Sequence, residues 1–150
     1  MTADDIKSYL AGMDGLFIPE FTWRDKRIDA IIIDIKHRWI RGFEIKTSRS
    51  DFLKDQKYWQ YSEFCSSISF VCTAGLIQPE EVEKPIGLLW IEENIDLQRQ
   101  SFFESPTPFQ WKKRPGNFQR QKSLSWFWTY LRVLEMELPR IYFELSRFKK

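Results

Sequence analysis

Residues 27–46 read RIDAIIIDIKHRWIRGFEIK. The first part, Arg27 to Ile35, is a β-branched run and predicts a strand. Lys36 and His37 turn the chain, and Trp39 to Lys46 returns as a second strand. With a two-residue turn, position i faces position 73 − i, which sets Asp29 directly opposite Glu44. Directly opposed residues of an antiparallel pair share a face, with Cβ atoms roughly 5 Å apart. Side chains alternate along a strand, so Glu44 and Lys46 take one face and Ile45 the other. Opposed like charges are destabilising, and a divalent cation between them is one reason for such an arrangement. Mg²⁺ suits it, since it takes one or two carboxylates and keeps several waters. The competing reading of Glu44-Ile45-Lys46 is an ion pair exposed on a sheet edge. Two D-x-K triplets also occur, Asp5-Ile6-Lys7 at a helix start and Asp34-Ile35-Lys36 running into the turn. A three-residue turn or a bulge would shift the register.

Outward from the hairpin, residues 3–12 read as a short helix with Ile6, Tyr9 and Leu10 on one stripe. Asp4 and Asp5 lie in its first turn, where the helix dipole favours them. Leu16 to Trp23 forms a strand, with Pro19 marking an edge or a bend. After the hairpin, Ser48 or Ser50 caps a helix predicted to run through residues 51–65. SISFVCT (67–73) is a strand, QPEEVEK opens a short helix on its proline, and IGLLWIEE (86–93) is another strand. Residues 94–117 read as loop, with Pro106, Pro108 and RPGN as breakers. Residues 118–137 read as a long helix whose Trp126, Trp128 and Tyr130 face the core.

This order predicts an α/β fold with a central mixed sheet flanked by helices. The expected division is a core over 1–93 and a basic, aromatic-rich, mostly helical extension over 94–150, packed on the same domain. The chain has 150 residues, 43% of them apolar, which suits one domain with one core. No run of 18 apolar residues occurs and the N-terminal stretch is acidic, so a cytoplasmic protein with no membrane partner is expected. Cys65 and Cys72 form no C-x-x-C pair and read as buried thiols. His37 is the single histidine. That excludes a His-based metal site and leaves little room for a Ser-His or Cys-His nucleophile. Carboxylates and lysines must carry any chemistry. Residues 98–150 hold 11 Lys/Arg against 4 Asp/Glu, a net +7, and the first 97 residues a net −5. The basic third suggests a side that faces a polyanion.

Asp29, then fourteen residues, then Glu44-Ile45-Lys46, followed by a helix and a strand, resembles the PD-(D/E)XK nuclease superfamily. Within it, the chain is most similar to the MmcB-like DNA repair proteins. Their R-x-D strand stands here as Arg27-Ile28-Asp29. Their E-I-K-x-S strand end stands as Glu44-Ile45-Lys46-Thr47-Ser48. Their helix stands as Asp51-Phe52 with Asp55, Lys57, Tyr58 and Tyr61, and Cys65 falls where it ends. The likeness spans about residues 15–92. The RecB-type Q-x-x-x-Y spacing is not present, because Gln56 and Tyr61 are five apart.

The resemblance implies a restriction-endonuclease-like core in the order αβββαβ, and a divalent-metal-dependent DNA endonuclease acting in repair. It implies Asp29, Glu44 and the backbone carbonyl of Ile45 as ligands of Mg²⁺ or Mn²⁺, with Lys46 positioning or activating the attacking water. An acidic residue from the first helix or just after it joins in some members; Glu20 is the candidate here, with Asp5 next. Lys54 and Lys57 are placed to meet DNA phosphates, and Tyr61 to hydrogen-bond near the metal. Trp111 with Lys112, Lys113 and Arg114 combines a stacking ring with phosphate-binding charges, as a DNA-contacting arm would. The alternatives are a non-catalytic DNA-binding module, or a nuclease subunit of a larger transposase, restriction or repair complex, with a homodimer as a further state.

Overall fold

In the computed structural model the hairpin pairs Ala30 with Phe43, Ile31 with Gly42 and Ile33 with Ile40, the register of a two-residue turn. The structure describes residues 1–55, 57–93, 107–118 and Trp128. The turn is held by Asp34, whose carboxylate accepts the His37 backbone N–H and meets the His37 ring. Arg38 takes a left-handed backbone, φ 53°, to close it.

The elements are α1 (Ala3–Leu10), β1 (Leu16–Trp23), β2 (Lys26–Asp34), β3 (Trp39–Ile45), α2 (Arg49–Lys54), β4 (Ser67–Thr73), β5 (Gly87–Ile91) and β6 (Phe109–Lys113), with 3-10 turns at Tyr58–Glu63 and Pro79–Glu81. The strands lie side by side in chain order. β1–β2–β3 is an antiparallel meander, β3, β4 and β5 run parallel, and β6 returns antiparallel to β5. This is an α/β fold with a central mixed sheet flanked by helices. No helix among the described residues is long and apolar enough to cross a membrane.

The sheet is covered on both faces, which is why β2 reads as a continuous apolar run. On one face α1 sets Ile6 and Leu10 against Ala30, Ile32, Phe43, Ile45, Val71 and Leu89. A capping box between Thr2 and Asp5 starts that helix. On the other face Ile31, Ile33, Ile40, Ile68 and Phe70 meet Tyr61, Phe64 and Cys65 from the segment after α2. Cys65 and Cys72 are buried free thiols. Gly42 lets this segment approach: a Cβ there would come within 2.7 Å of the Cys65 Sγ and 2.8 Å of the Ile28 Cδ1. Gly42→Ala should therefore cost about 1–3 kcal/mol through overpacking, read as a lower urea midpoint at unchanged slope.

Two elements differ from the sequence reading. The helix expected over 51–65 stops at Lys54, because Asp55 turns inward. The segment 94–117 contains β6, held to β5 by pairs from Ile91–Phe109 to Leu88–Lys113. Of the helix expected over 118–137, Trp126 and Tyr130 lie outside the described residues; Trp128 is helical and packs on the core.

Candidate metal centre at the end of the central hairpin

The β2–β3 ladder ends at Ala30–Phe43, one position short of Asp29 and Glu44. Beyond it the Asp29 side chain replaces the backbone, its Oδ2 accepting the Ile45 N–H at 2.8 Å. β3 stays anchored on its other side, where the Lys46 N–H donates to the Val71 carbonyl at 2.9 Å. The strand end is thus fixed, with Asp29 on one strand and Glu44 on the other just past the last ladder pair. Ile45 is buried among the apolar residues under α1. Glu44 and Lys46 share the opposite face, as the alternation requires, and both are buried.

Burial without full pairing sets the electrostatics. Glu44 is 7% exposed, and its Oε1 has no hydrogen-bond partner among the described residues. Its carboxyl is pushed up to about 8, first by burial, then by the charges of Asp29 and Asp55, with Lys46 opposing. Tyr61 lies against it, and burial followed by the Glu44 charge raises the phenol in turn. The Tyr61 hydroxyl donates to the Arg27 carbonyl at 2.7 Å and is near enough to Glu44 to oppose the rise slightly, yet the Glu44 Oε1 is left without a well-formed hydrogen bond. An ionised Glu44 is therefore only partly compensated, since Lys46 is shared with Asp55 and a buried carboxylate needs a cation of its own or donors enough to replace water.

Lys46 is held by a residue that sequence reasoning left without a role. Its Nζ lies 2.6 Å from the Asp55 Oδ2, both side chains 9% exposed, and 5.9 Å from the centre of the Phe70 ring. Asp55 can reach it because it leaves the helix with extended backbone and because its other oxygen accepts the Lys57 N–H at 2.9 Å. That local bond to the chain two residues on is a turn-forming habit of aspartate. In the sequence, the only pointer to Asp55 was its place in the helix motif. Ser48 caps α2 by accepting the Asp51 N–H at 3.1 Å. Asp51 sits in the first turn and accepts the Thr47 hydroxyl at 3.4 Å.

The structure thus brings Asp29, Glu44, Ile45 and Lys46 together and adds Asp55. Glu20 does not join them. Its backbone lies at φ 50°, a region that turns a non-glycine side chain out of the strand pattern. Its carboxylate is ion-paired with Arg27 at 2.7 Å and Lys7 at 3.4 Å, and 53% exposed. Lys7 first, then Arg27, lower its pKa. Asp5 is occupied in the capping box of α1. Tyr61 is buried, so it supports Glu44 and the Arg27 carbonyl and has no surface to offer DNA. Lys54 and Lys57 are exposed.

The Trp111–Arg114 arm is largely strand β6. Trp111 packs on Phe43 at 6.4 Å between ring centres. Lys113 donates to the Val82 carbonyl. Lys112 and Arg114 are exposed, lying over the rings of Trp90 and Trp111 at 4.7 and 5.3 Å. Pairing with β5 has turned this stretch into sheet, with two cations left outward.

Among the described residues no three His, Cys, Asp or Glu side chains converge on one point. A cation here would be held by Asp29 and Glu44, with the Ile45 carbonyl and water completing its shell. Two carboxylates are sufficient for Mg²⁺, and the unpartnered Glu44 oxygen fits the role. No protein-family model matches the chain, and no curated protein matches it. Its fold is similar to a solved structure described as SPO1766, a protein of unknown function from Silicibacter pomeroyi, at TM-score 0.54 and 20% identity over 83% of this chain and 79% of that one. At that identity the likeness concerns fold alone.

Proposed function

We propose that the chain is a divalent-metal-dependent DNA endonuclease of the PD-(D/E)XK type, with a restriction-endonuclease-like core, acting in DNA repair. The observation that carries this reading is the buried, unpartnered Glu44 oxygen beside Asp29 and within the field of Lys46. A protein gains nothing in stability from such a group, and strained, unsatisfied polar groups gather where a ligand completes them. The order α1–β1–β2–β3–α2–β4 also agrees with what the sequence resemblance implies.

In this reading Asp29 and Glu44 hold Mg²⁺ or Mn²⁺, with the Ile45 carbonyl facing the same ion. When bound, the ion lowers the pKa of a coordinated water and offsets charge building on the phosphate. Lys46 has three donors and gives one to Asp55. The remaining ones hold the attacking water or a phosphate oxygen. Asp55 fixes the ammonium against the Phe70 ring and keeps it from wandering on its four-carbon stem. Tyr61 holds the Arg27 carbonyl and, through it, the strand that carries Asp29. Lys54 and Lys57, exposed around the end of α2, meet the DNA backbone without reading sequence.

Incubation with single-stranded, nicked, branched and duplex DNA in Mn²⁺ should give cleavage of at least one form. Lys46→Ala should cut it at least about a hundredfold more slowly. Equal cutting by the two proteins would assign the activity elsewhere. Binding of DNA in EDTA that survives Glu44→Ala, without cleavage of any form, would instead favour the non-catalytic DNA-binding module.

A further inference from the structure

Beside Asp55, the partner of Lys46, lies a groove of about 230 Å³ lined by Phe52, Leu53, Tyr58, Phe70 and Val82, with Asp55, Glu81 and Glu83 as its acidic members. It shares a wall with the candidate centre, since Asp55 holds Lys46 and Lys46 stands over Phe70. Phe52 and Tyr58 meet Phe70 edge-on, at 5.3 and 5.2 Å between ring centres. Glu83 is fixed by the Tyr58 hydroxyl and by the Trp59 indole N–H, the latter at 3.0 Å. A carboxylate has about four acceptor positions, so Glu83 has capacity left for a ligand N–H. Leu53, on the lip, is 65% exposed, and core packing gives no reason for so bare a leucine.

We infer that this groove takes one unpaired nucleobase of the strand whose phosphate lies at Lys46. Phe70 is buried and forms the floor, while the half-buried rings of Phe52 and Tyr58 stand edge-on to it and suit the face of a base, which stacks on such rings without regard to sequence. Glu83 on the rim repels a phosphate and has an oxygen left to accept from the N–H groups of a base edge, as a carboxylate does for cytosine N4. A base within an intact duplex is stacked on both faces and cannot enter. The substrate class is therefore single-stranded or locally unpaired nucleic acid, such as a flap, a gap edge or an extruded base. The inference rests on the phosphodiesterase reading for the place of the phosphate.

The test measures binding in EDTA, so that no strand is cut. Three probes of equal length are compared: a single strand, the same strand with its bases removed, and blunt duplex. The single strand should bind about tenfold or more tightly than either of the others. Tyr58→Leu, which keeps an apolar side chain and removes the stacking face, should lower single-strand affinity about tenfold and leave duplex affinity unchanged. A baseless strand or a duplex that binds as tightly as the single strand overturns the inference, and this comparison uses the unaltered protein, whatever the folding of the variant. Absence of cleavage in Mn²⁺ would count against the nuclease reading alone, because base-dependent binding is read without turnover.

Discussion

Glu44→Gln should sharply slow cleavage and, in EDTA, make the protein more stable at pH 8. Both effects follow from the same buried carboxyl. The native state raises it from an ordinary value of 4.5 to about 8, so between those values the folded protein binds more protons than the unfolded chain. Stability then falls as pH rises. What the protonated Glu44 contributes is fully present below about pH 4.5 and lost by about pH 8. Glutamine fills the same space and never ionises, so the variant should gain relative to wild type across that interval. The gain is on the order of 3 kcal/mol at the upper end, seen as a melting temperature raised by about 5 °C or more. Adding Mn²⁺ should restore the wild type and leave the variant unmoved. Cleavage should fall at least about a hundredfold, a loss of roughly 2.7 kcal/mol in the transition state. A variant no more stable than wild type at pH 8 would mean that Glu44 is already served by a partner, and would remove the central support for a metal there.

The second large effect belongs to the Lys46–Asp55 pair. Both side chains are nine-tenths buried, so removing one leaves the other charge without its counterpart. Lys46→Met and Asp55→Leu should each cost about 3 kcal/mol, whereas the double replacement should cost far less than their sum. Urea unfolding of the four proteins closes the cycle. Lys46→Met also leaves Asp29, Glu44 and Asp55 with no nearby ammonium, and Mn²⁺ should recover part of its loss. Single changes costing under about 1 kcal/mol each would place the pair with exposed surface ion pairs. Asp55 would then have no part in aiming Lys46.

The hairpin and the placement of the two carboxylates at its end were legible for a simple reason. A strand buried on both faces needs a long β-branched run, and Ile31-Ile32-Ile33 supplies one. Once the turn length is set, the register follows by counting, and it brings Asp29 and Glu44 to the same strand end. Asp55 was not legible as a partner of Lys46, because the pattern from Asp51 to Cys65 is helical in composition. A contact with a lysine nine residues earlier, formed only in the folded state, outweighs that local preference. Glu20 was misplaced because nothing in its neighbours foretells a left-handed backbone. For β6 the signal was present. Phe109, Trp111 and Lys113 alternate with Gln110 and Lys112, but Pro106, Pro108 and Pro115 pointed to loop. Those prolines bound the strand and leave its interior intact.

The two outer strands among the described residues also bear on how the protein avoids its own copies. An open strand edge offers unpaired N–H and C=O groups on which another chain can grow. β1 carries Pro19, which has no N–H to offer, and then Glu20, whose left-handed backbone breaks the line of the edge. β6 is five residues long, with Lys112 turned to solvent. Each edge is spoiled as a template for further pairing. Glu20, the candidate acidic member of the site, stands at a break in the β1 edge.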